Sequence, residues 1–344
     1  MTRVYFATNR QPDKGKEGGY GAEIVAMAPN AIIYDAIDVT NIDLGNADSG
    51  TLGPGLQPTP GGFAAPFRDE IVNSGKNLLL FIHGFANSFA AAIKRAAFNA
   101  EWFHASGIAA ADTTVLAFTW PSLGALFATP PHFLDDDYKT DQTQAGKSAY
   151  HIGFFLDYID KTIRPAYRKN NPTGRIFLLA HSMGNYALAS AVEWWFANRG
   201  SGDLMFDEVF LAAADEIDDT FDQPAGGRLH NLPKLGERIS IYSSRKDVAM
   251  YLSAAVNRDM RLGFDGPDHK HDATLYPAIT FRILDVTEVD DFNPISPPDS
   301  THQYYRRSVI VRTDIANTMA DDPQPAGGLI ELPLPDGRSK GATT

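Results

Sequence analysis

Five apolar residues in a row, Ile176 to Ala180, run directly into His181-Ser182-Met183-Gly184. An unbroken apolar run of this kind reads as a strand buried on both faces. It stops at a serine whose neighbours two positions away, Ala180 and Gly184, are small. A serine on a sharp strand-to-helix turn has a strained backbone, and the positions two residues either side crowd each other. Gly184 meets that need, and Ala180 stands where a second glycine is usual. A helix starting near Met183 would leave its first amides unpaired at the turn. Ser182 is therefore a candidate nucleophile, and the Met183 N–H a candidate donor to an oxyanion formed beside it.

The segment needs a sheet to lie in, and the chain supplies one. Residues 77–82 form a second apolar run, ending in His83-Gly84-Phe85-Ala86. Residues 114–118, 208–214, 238–243 and 278–285 read as further strands, with helical periodicity between them, as at 186–199 and 248–256. Apolar strands alternating with helices predict an α/β fold with a mostly parallel central sheet and helices on both faces. Nearer the N-terminus, residues 4–8 read as a strand, and 22–28 and 31–39 as a hairpin turning at Pro29-Asn30. The Gly- and Pro-rich residues 44–62 read as an irregular loop, 66–74 as a short helix, and 140–169 as one long amphipathic helix. The Pro/Phe-rich residues 124–137 read as an insertion that can cap the site with Leu126, Phe127 and Phe133. Residues 320–344 read as a peripheral tail. With 344 residues, 44% of them hydrophobic, and no internal repeat, a single domain over 1–344 is expected.

Composition narrows the function classes. Asp and Glu outnumber Lys and Arg by 42 to 30, which disfavours nucleic acid or an anionic membrane as partner. The chain has no cysteine, which excludes disulfides, thiolate catalysis and Cys-ligated zinc. No apolar run approaches the roughly 20 residues of a membrane span, and the first ten residues hold no signal-peptide core. A soluble, cytoplasmic protein is expected. Its oligomeric state leaves no sign in the sequence.

A serine hydroxyl needs a base, commonly His, and the base needs a carboxylate to hold its tautomer. Parallel sheets gather their chemistry past the carboxyl ends of their strands, where His83, Ser182, Asp215, Asp247 and His302 all fall. When the serine comes first, acid and then histidine follow along the chain. Of His230, His269, His271 and His302, only His302 lies beyond the last predicted strand, so it is the expected base. His269 and His271 sit in a polar turn and read as solvated rather than as a metal set. Asp247 and Asp215 each follow a strand, and both can serve as the acid, with Asp247 preferred. Gly84 lets a backbone approach closely, so the Phe85 or Ala86 N–H is the expected second oxyanion donor. Trp120 and Phe127 are candidate walls of a substrate pocket, although Trp120 is equally plausible as core. No cofactor or metal is required.

With these residues in place, the chain resembles the α/β-hydrolase superfamily, and more narrowly a bacterial α/β-hydrolase family known as a domain of unknown function. The resemblance runs from about Val4 to His302. It is carried by Phe6-Ala7-Thr8-Asn9-Arg10, by Phe81-Ile82-His83-Gly84-Phe85-Ala86-Asn87-Ser88-Phe89, and by Phe118-Thr119-Trp120-Pro121-Ser122. Tyr138 spaced from Asp141, Ala180-His181-Ser182-Met183-Gly184-Asn185, Ile241-Tyr242-Ser243-Ser244, Asp247, Ser253 and Arg261-Leu262-Gly263 complete it. The resemblance implies Ser182 as nucleophile, Asp247 as acid and His302 as base, and hence hydrolysis of a small-molecule carboxylic ester through an acyl-enzyme. The chain departs from the family at Ala214, where a proline often precedes the aspartate. Thioesterase, amidase or acyltransferase chemistry would use the same groups, and a non-catalytic binding scaffold is the remaining alternative.

Overall fold

Strand periodicity of two divides the apolar runs between two cores. In the strand Asn77–Ile82, Leu78, Leu80 and Ile82 pack into one core, while Leu79 and Phe81 pack into the other. The strand Ile176–His181 does the same, with Ile176, Leu178 and Ala180 on one face and Phe177 and Leu179 on the other. Each fully buried leucine of this kind is worth roughly 2 kcal/mol. A computed structural model describes residues 1–46, 48–123, 132–199, 203–222, 227–291, 299–323 and 328–332.

The described strands in chain order are β1 (Thr2–Thr8), β2 (Arg10–Pro12), β3 (Tyr20–Ile24), β4 (Ile33–Thr40), β5 (Thr51–Leu52), β6 (Thr59–Pro60) and β7 (Asn77–Ile82). They continue as β8 (Thr113–Thr119), β9 (Ile176–His181), β10 (Phe206–Ala212), β11 (Gly236–Ser243), β12 (Phe281–Asp285) and β13 (Ile330–Leu332). The helices are α1 (Ala65–Val72), α2 (Phe89–His104), α3 (His132–Lys147), α4 (Ala149–Tyr158), α5 (Arg164–Asn170) and α6 (Met183–Asn198). After them come α7 (Val248–Asn257), α8 (Leu262–Asp265), α9 (Asp299–His302), α10 (Tyr304–Arg307) and α11 (Val309–Met319). The central sheet runs β13-β12-β11-β10-β9-β7-β8-β1-β4-β5, with β6 also on β4. Every pairing from β12 to β1 is parallel, and the margins are antiparallel. Helices α1, α4, α5 and α6 cover one face and α2 and α11 the other. This is an α/β architecture with β9 near the middle of the sheet. Among the described residues, no helix is long and apolar enough to cross a membrane.

Three local expectations are corrected. The hairpin at Pro29-Asn30 does not form: β3 pairs with β2, while β4 pairs with β1 in the main sheet. β4 buries Tyr34 and Ala36 in one core and Ile37 and Val39 in the other, so it needs a position covered on both sides. Residues 44–62 are not wholly irregular, because β5 and β6 pair with β4. The long helix over 140–169 starts earlier, at His132, and is broken. Ser148 turns its hydroxyl back to the Gln144 carbonyl at 2.8 Å, a bond that bends helices, and α4 begins just beyond it. A π-turn over Ile159–Ile163 then absorbs Pro165, which has no N–H to give. Of the expected insertion, residues 124–131 lie outside the described residues, and the remainder opens α3.

Of the tail expected to be peripheral over 320–344, the described residues Ile330–Leu332 join the central sheet, and α11 before them is part of the fold. β13 pairs antiparallel with β12, and α11 is fastened by buried charge. Tyr242 donates its hydroxyl to Asp314 Oδ2 at 2.5 Å, and the Arg282 guanidinium reaches Asp314 Oδ1 at 3.1 Å and Thr318 Oγ1 at 2.6 Å. Asp314 is fully buried, so removing it leaves a buried cation short of its counter-charge. Asp314→Ala is expected to lower the unfolding free energy by about 3 kcal/mol. Urea unfolding followed by circular dichroism measures it, and a loss below about 1 kcal/mol would mean the network does not hold α11.

Candidate active site

Ser182 ends β9 and begins α6 at φ 55°, ψ −131°, a conformation that a side-chain-bearing residue rarely adopts. The surrounding packing imposes it. A Cβ on Gly184 would lie 2.6 Å from the carbonyl oxygens of both Ile82 and His83, and one on Gly84 would lie 2.7 Å from the Ser182 Cβ. Only glycine permits that approach of the β7 end to the serine turn. The Ser182 carbonyl is fixed by the Asp215 N–H at 3.1 Å, the Asn185 N–H at 2.9 Å and the Asn185 side chain at 3.1 Å.

Asp247 caps α7. Its Oδ1 accepts the Met250 N–H at 3.1 Å, and its Oδ2 lies 2.8 Å from His302 Nδ1. Asp247 is 0% exposed and His302 7%, so the contact is made away from water. His302 is the last residue of α9 rather than part of a loop. It is seated from three sides. The Val248 N–H donates to Thr301 Oγ1 at 3.2 Å, tying α9 to the start of α7. The Tyr304 hydroxyl donates to the Tyr242 carbonyl at 2.8 Å and accepts the Ala213 N–H at 2.9 Å, pinning the chain to the sheet. His181, the residue before Ser182, packs its ring 4.6 Å from that of His302, with its Nε2 3.2 Å from the His302 carbonyl. Burial holds the His181 imidazole well below its ordinary pKa, so it is neutral and donates from Nε2.

The structure thus brings Asp247 to His302 and gives Asp215 other partners. Tyr138 donates its hydroxyl to Asp215 Oδ2 at 2.8 Å, the Ser253 hydroxyl donates to Oδ1, and Arg261 Nε lies 3.6 Å away. Asn257 of α7 donates to the same Tyr138 oxygen at 2.9 Å.

Two candidates change role. The Ala86 N–H already donates to Asp141 Oδ2 at 3.1 Å, so it is not a donor for an oxyanion. The Phe85 and Met183 N–H groups make no hydrogen bond among the described residues. Trp120 is 0% exposed, stacked at 8° on the His83 ring, with its Nε1 donating to the His83 carbonyl at 2.8 Å. It is core beneath the loop, not a pocket wall. Phe127 lies outside the described residues. His269 is a surface group paired with Asp222 at 2.7 Å, and no cluster of three metal-binding side chains occurs among the described residues. In the sequence, Asp141 stands out only through its spacing from Tyr138. Their separation of three along a helix was the available sign that both face the same way.

A family model described as alpha/beta hydrolase of unknown function (DUF900) matches residues 63–313. No curated protein matches the sequence. A crystal structure of the product of gene lin2722 from Listeria innocua is similar at 9% identity and a TM-score of 0.30, covering 74% of this chain and 97% of that one. A likeness that weak bears on neither fold details nor activity.

His83 yields a pH prediction. Its Nδ1 lies 2.9 Å from the Gly84 carbonyl and its Nε2 accepts the Trp120 N–H at 3.2 Å, so the ring has one donor and one acceptor nitrogen. Burial, followed by the nearby Arg10 charge, pushes its pKa well below 6.5. The unfolded chain therefore takes up a proton below pH 6.5 that the folded chain refuses, and stability falls as pH falls through that window. In His83→Gln, the slope of unfolding free energy between pH 6.5 and 5 should be flatter, by at most about 1.4 kcal/mol per pH unit. Denaturant midpoints at several pH values measure it, and parallel slopes would refute it.

Proposed function

This chain belongs to the alpha/beta hydrolase family of unknown function, and we propose that within it the protein is a serine carboxylic-ester hydrolase. The observation that carries the reading is the buried 2.8 Å contact of Asp247 with His302, packed against the residue that precedes a strained serine. Ser182 Oγ attacks the ester carbonyl carbon while His302 takes its proton. Asp247 holds the opposite ring nitrogen and stabilises the imidazolium. The Phe85 and Met183 amides receive the negative charge that develops on the carbonyl oxygen. Collapse of the tetrahedral intermediate breaks the ester C–O bond, and His302 returns its proton to the leaving alcohol. Water, deprotonated by His302, then attacks the acyl-serine and releases the carboxylic acid with Ser182 restored.

The family supports a hydrolase, and the surroundings of Asp215 support Asp247 as the acid. Turnover of a short-chain p-nitrophenyl ester tests both. Ser182→Ala and His302→Gln should each lower kcat by at least about 10³-fold. Asp247→Asn should cost about 10²–10⁴-fold, while Asp215→Asn costs less than either. Undiminished turnover by Ser182→Ala would remove the reading.

A further inference from the structure

The loop between β7 and α2 can present the Phe85 amide only if residues 84–87 keep an unusual path. Ala86 sits at φ 55°, a left-handed conformation that an alanine does not favour. What holds it is a carboxylate from another element. Asp141 of α3 accepts the Ala86 N–H at 3.1 Å and the Ser122 hydroxyl on Oδ2, and the Leu123 N–H at 2.9 Å on Oδ1. The Ser122 hydroxyl oxygen in turn accepts the Asn87 N–H at 3.0 Å. The Asn87 amide then ties the carbonyls of Gly84 and Phe85 at 2.9 and 2.8 Å. Arg10 lies fully buried behind the loop, donating to the Asn87 carbonyl at 2.7 Å and the Ser122 carbonyl at 3.3 Å. Asp141, Asn87 and Ser122 are also buried.

We propose that Asp141 is a positioning residue for the oxyanion loop: by consuming the Ala86 N–H and anchoring Ser122 and Leu123, it leaves the Phe85 N–H as the loop's donor to the tetrahedral intermediate. The inference rests on the serine-hydrolase reading above. It turns on the carboxylate being an acceptor at both oxygens. A carboxamide of the same shape must set its NH₂ against the Leu123 N–H or against the Ala86 N–H and Ser122. One of those anchors is then lost, and the loop slackens without the loss of a substrate contact.

The test compares wild type with Asp141→Asn on a p-nitrophenyl ester and on two inhibitors, an alkyl boronic acid that forms a tetrahedral anion on serine and the product carboxylic acid. Fluorophosphonate labelling of Ser182 in the wild-type chain checks the underlying reading separately. Asp141→Asn should lower kcat about 10–100-fold, as expected for a weakened oxyanion donor, with KM within about threefold. Boronate affinity should fall in proportion to kcat and carboxylic-acid affinity should hold. Wild-type kcat and boronate affinity in Asp141→Asn would overturn the inference alone. So would a parallel loss of kcat, KM and carboxylic-acid binding, which marks a general structural role. If Asp141→Asn does not fold, Ser122→Ala replaces it, with a smaller kcat loss expected and no change overturning the inference. A wild-type chain that neither labels nor turns over would overturn both readings.

Discussion

A serine held with its backbone where side chains seldom go is the constraint from which the rest of this molecule follows. The φ of 55° at Ser182 costs of order 1–3 kcal/mol, and it persists because the turn is gripped from every side. Below it, β7 comes so near that Gly184 and Gly84 admit no methyl group. Behind it, the Asp215 amide and Asn185 hold its carbonyl. Before it, His181 packs its ring against those of both His302 and Tyr305, so one residue joins the nucleophile's strand to the histidine. A parallel sheet with β9 near its middle is what makes such a grip possible, because neighbouring strands end beside the turn on both flanks.

One turn of α3 then relates the two halves of the site. Tyr138 reaches Asp215 and Ser253, and Ser253 belongs to the helix whose cap is Asp247. Asp141, three residues on, reaches the loop after β7. Buried carboxylates are costly unless every lone pair is used. Asp141 comes close to that condition, with three donors on its roughly four lone-pair sites. Burial still raises its pKa, and the Ser122, Leu123 and Ala86 donors pull it back down. The two acidic groups that do not touch His302 are thus the ones that set the frame around it. Neither role is visible from the residues that would do the chemistry.

The sequence revealed what local pattern encodes. Uninterrupted apolar runs marked β7 and β9, largely apolar segments between helical stretches marked β8, β10 and β11, and the small residues about Ser182 marked the turn. Order along the chain singled out His302 and left two aspartates with Asp247 preferred, and the structure puts Asp247 beside His302 Nδ1 and Asp215 beside Tyr138. Pairing between strands is non-local, so β4 could not be assigned to β1 instead of β3. Helix α11 and strand β13 were hidden because Asp314 and Arg282 look solvent-facing when their partners are unknown. The choice between the Phe85 and Ala86 amides is hidden for a similar reason: an amide's availability depends on what lies across from it, here for Ala86 a carboxylate distant along the chain. Trp120 has a composition that suits either a pocket or a core, and its stack on His83 decides for the core.

The margins of the sheet have a consequence of their own. A wide sheet offers two rows of unsatisfied amides and carbonyls on which another chain can grow. Here each margin is finished by very short strands, Ile330–Leu332 on one side and Thr51–Leu52 with Thr59–Pro60 on the other. Pro60 also lacks an amide hydrogen. Among the described residues neither end presents a long, flat template from which fibre-like stacking or strand exchange between molecules could begin, broad as the β-layer is.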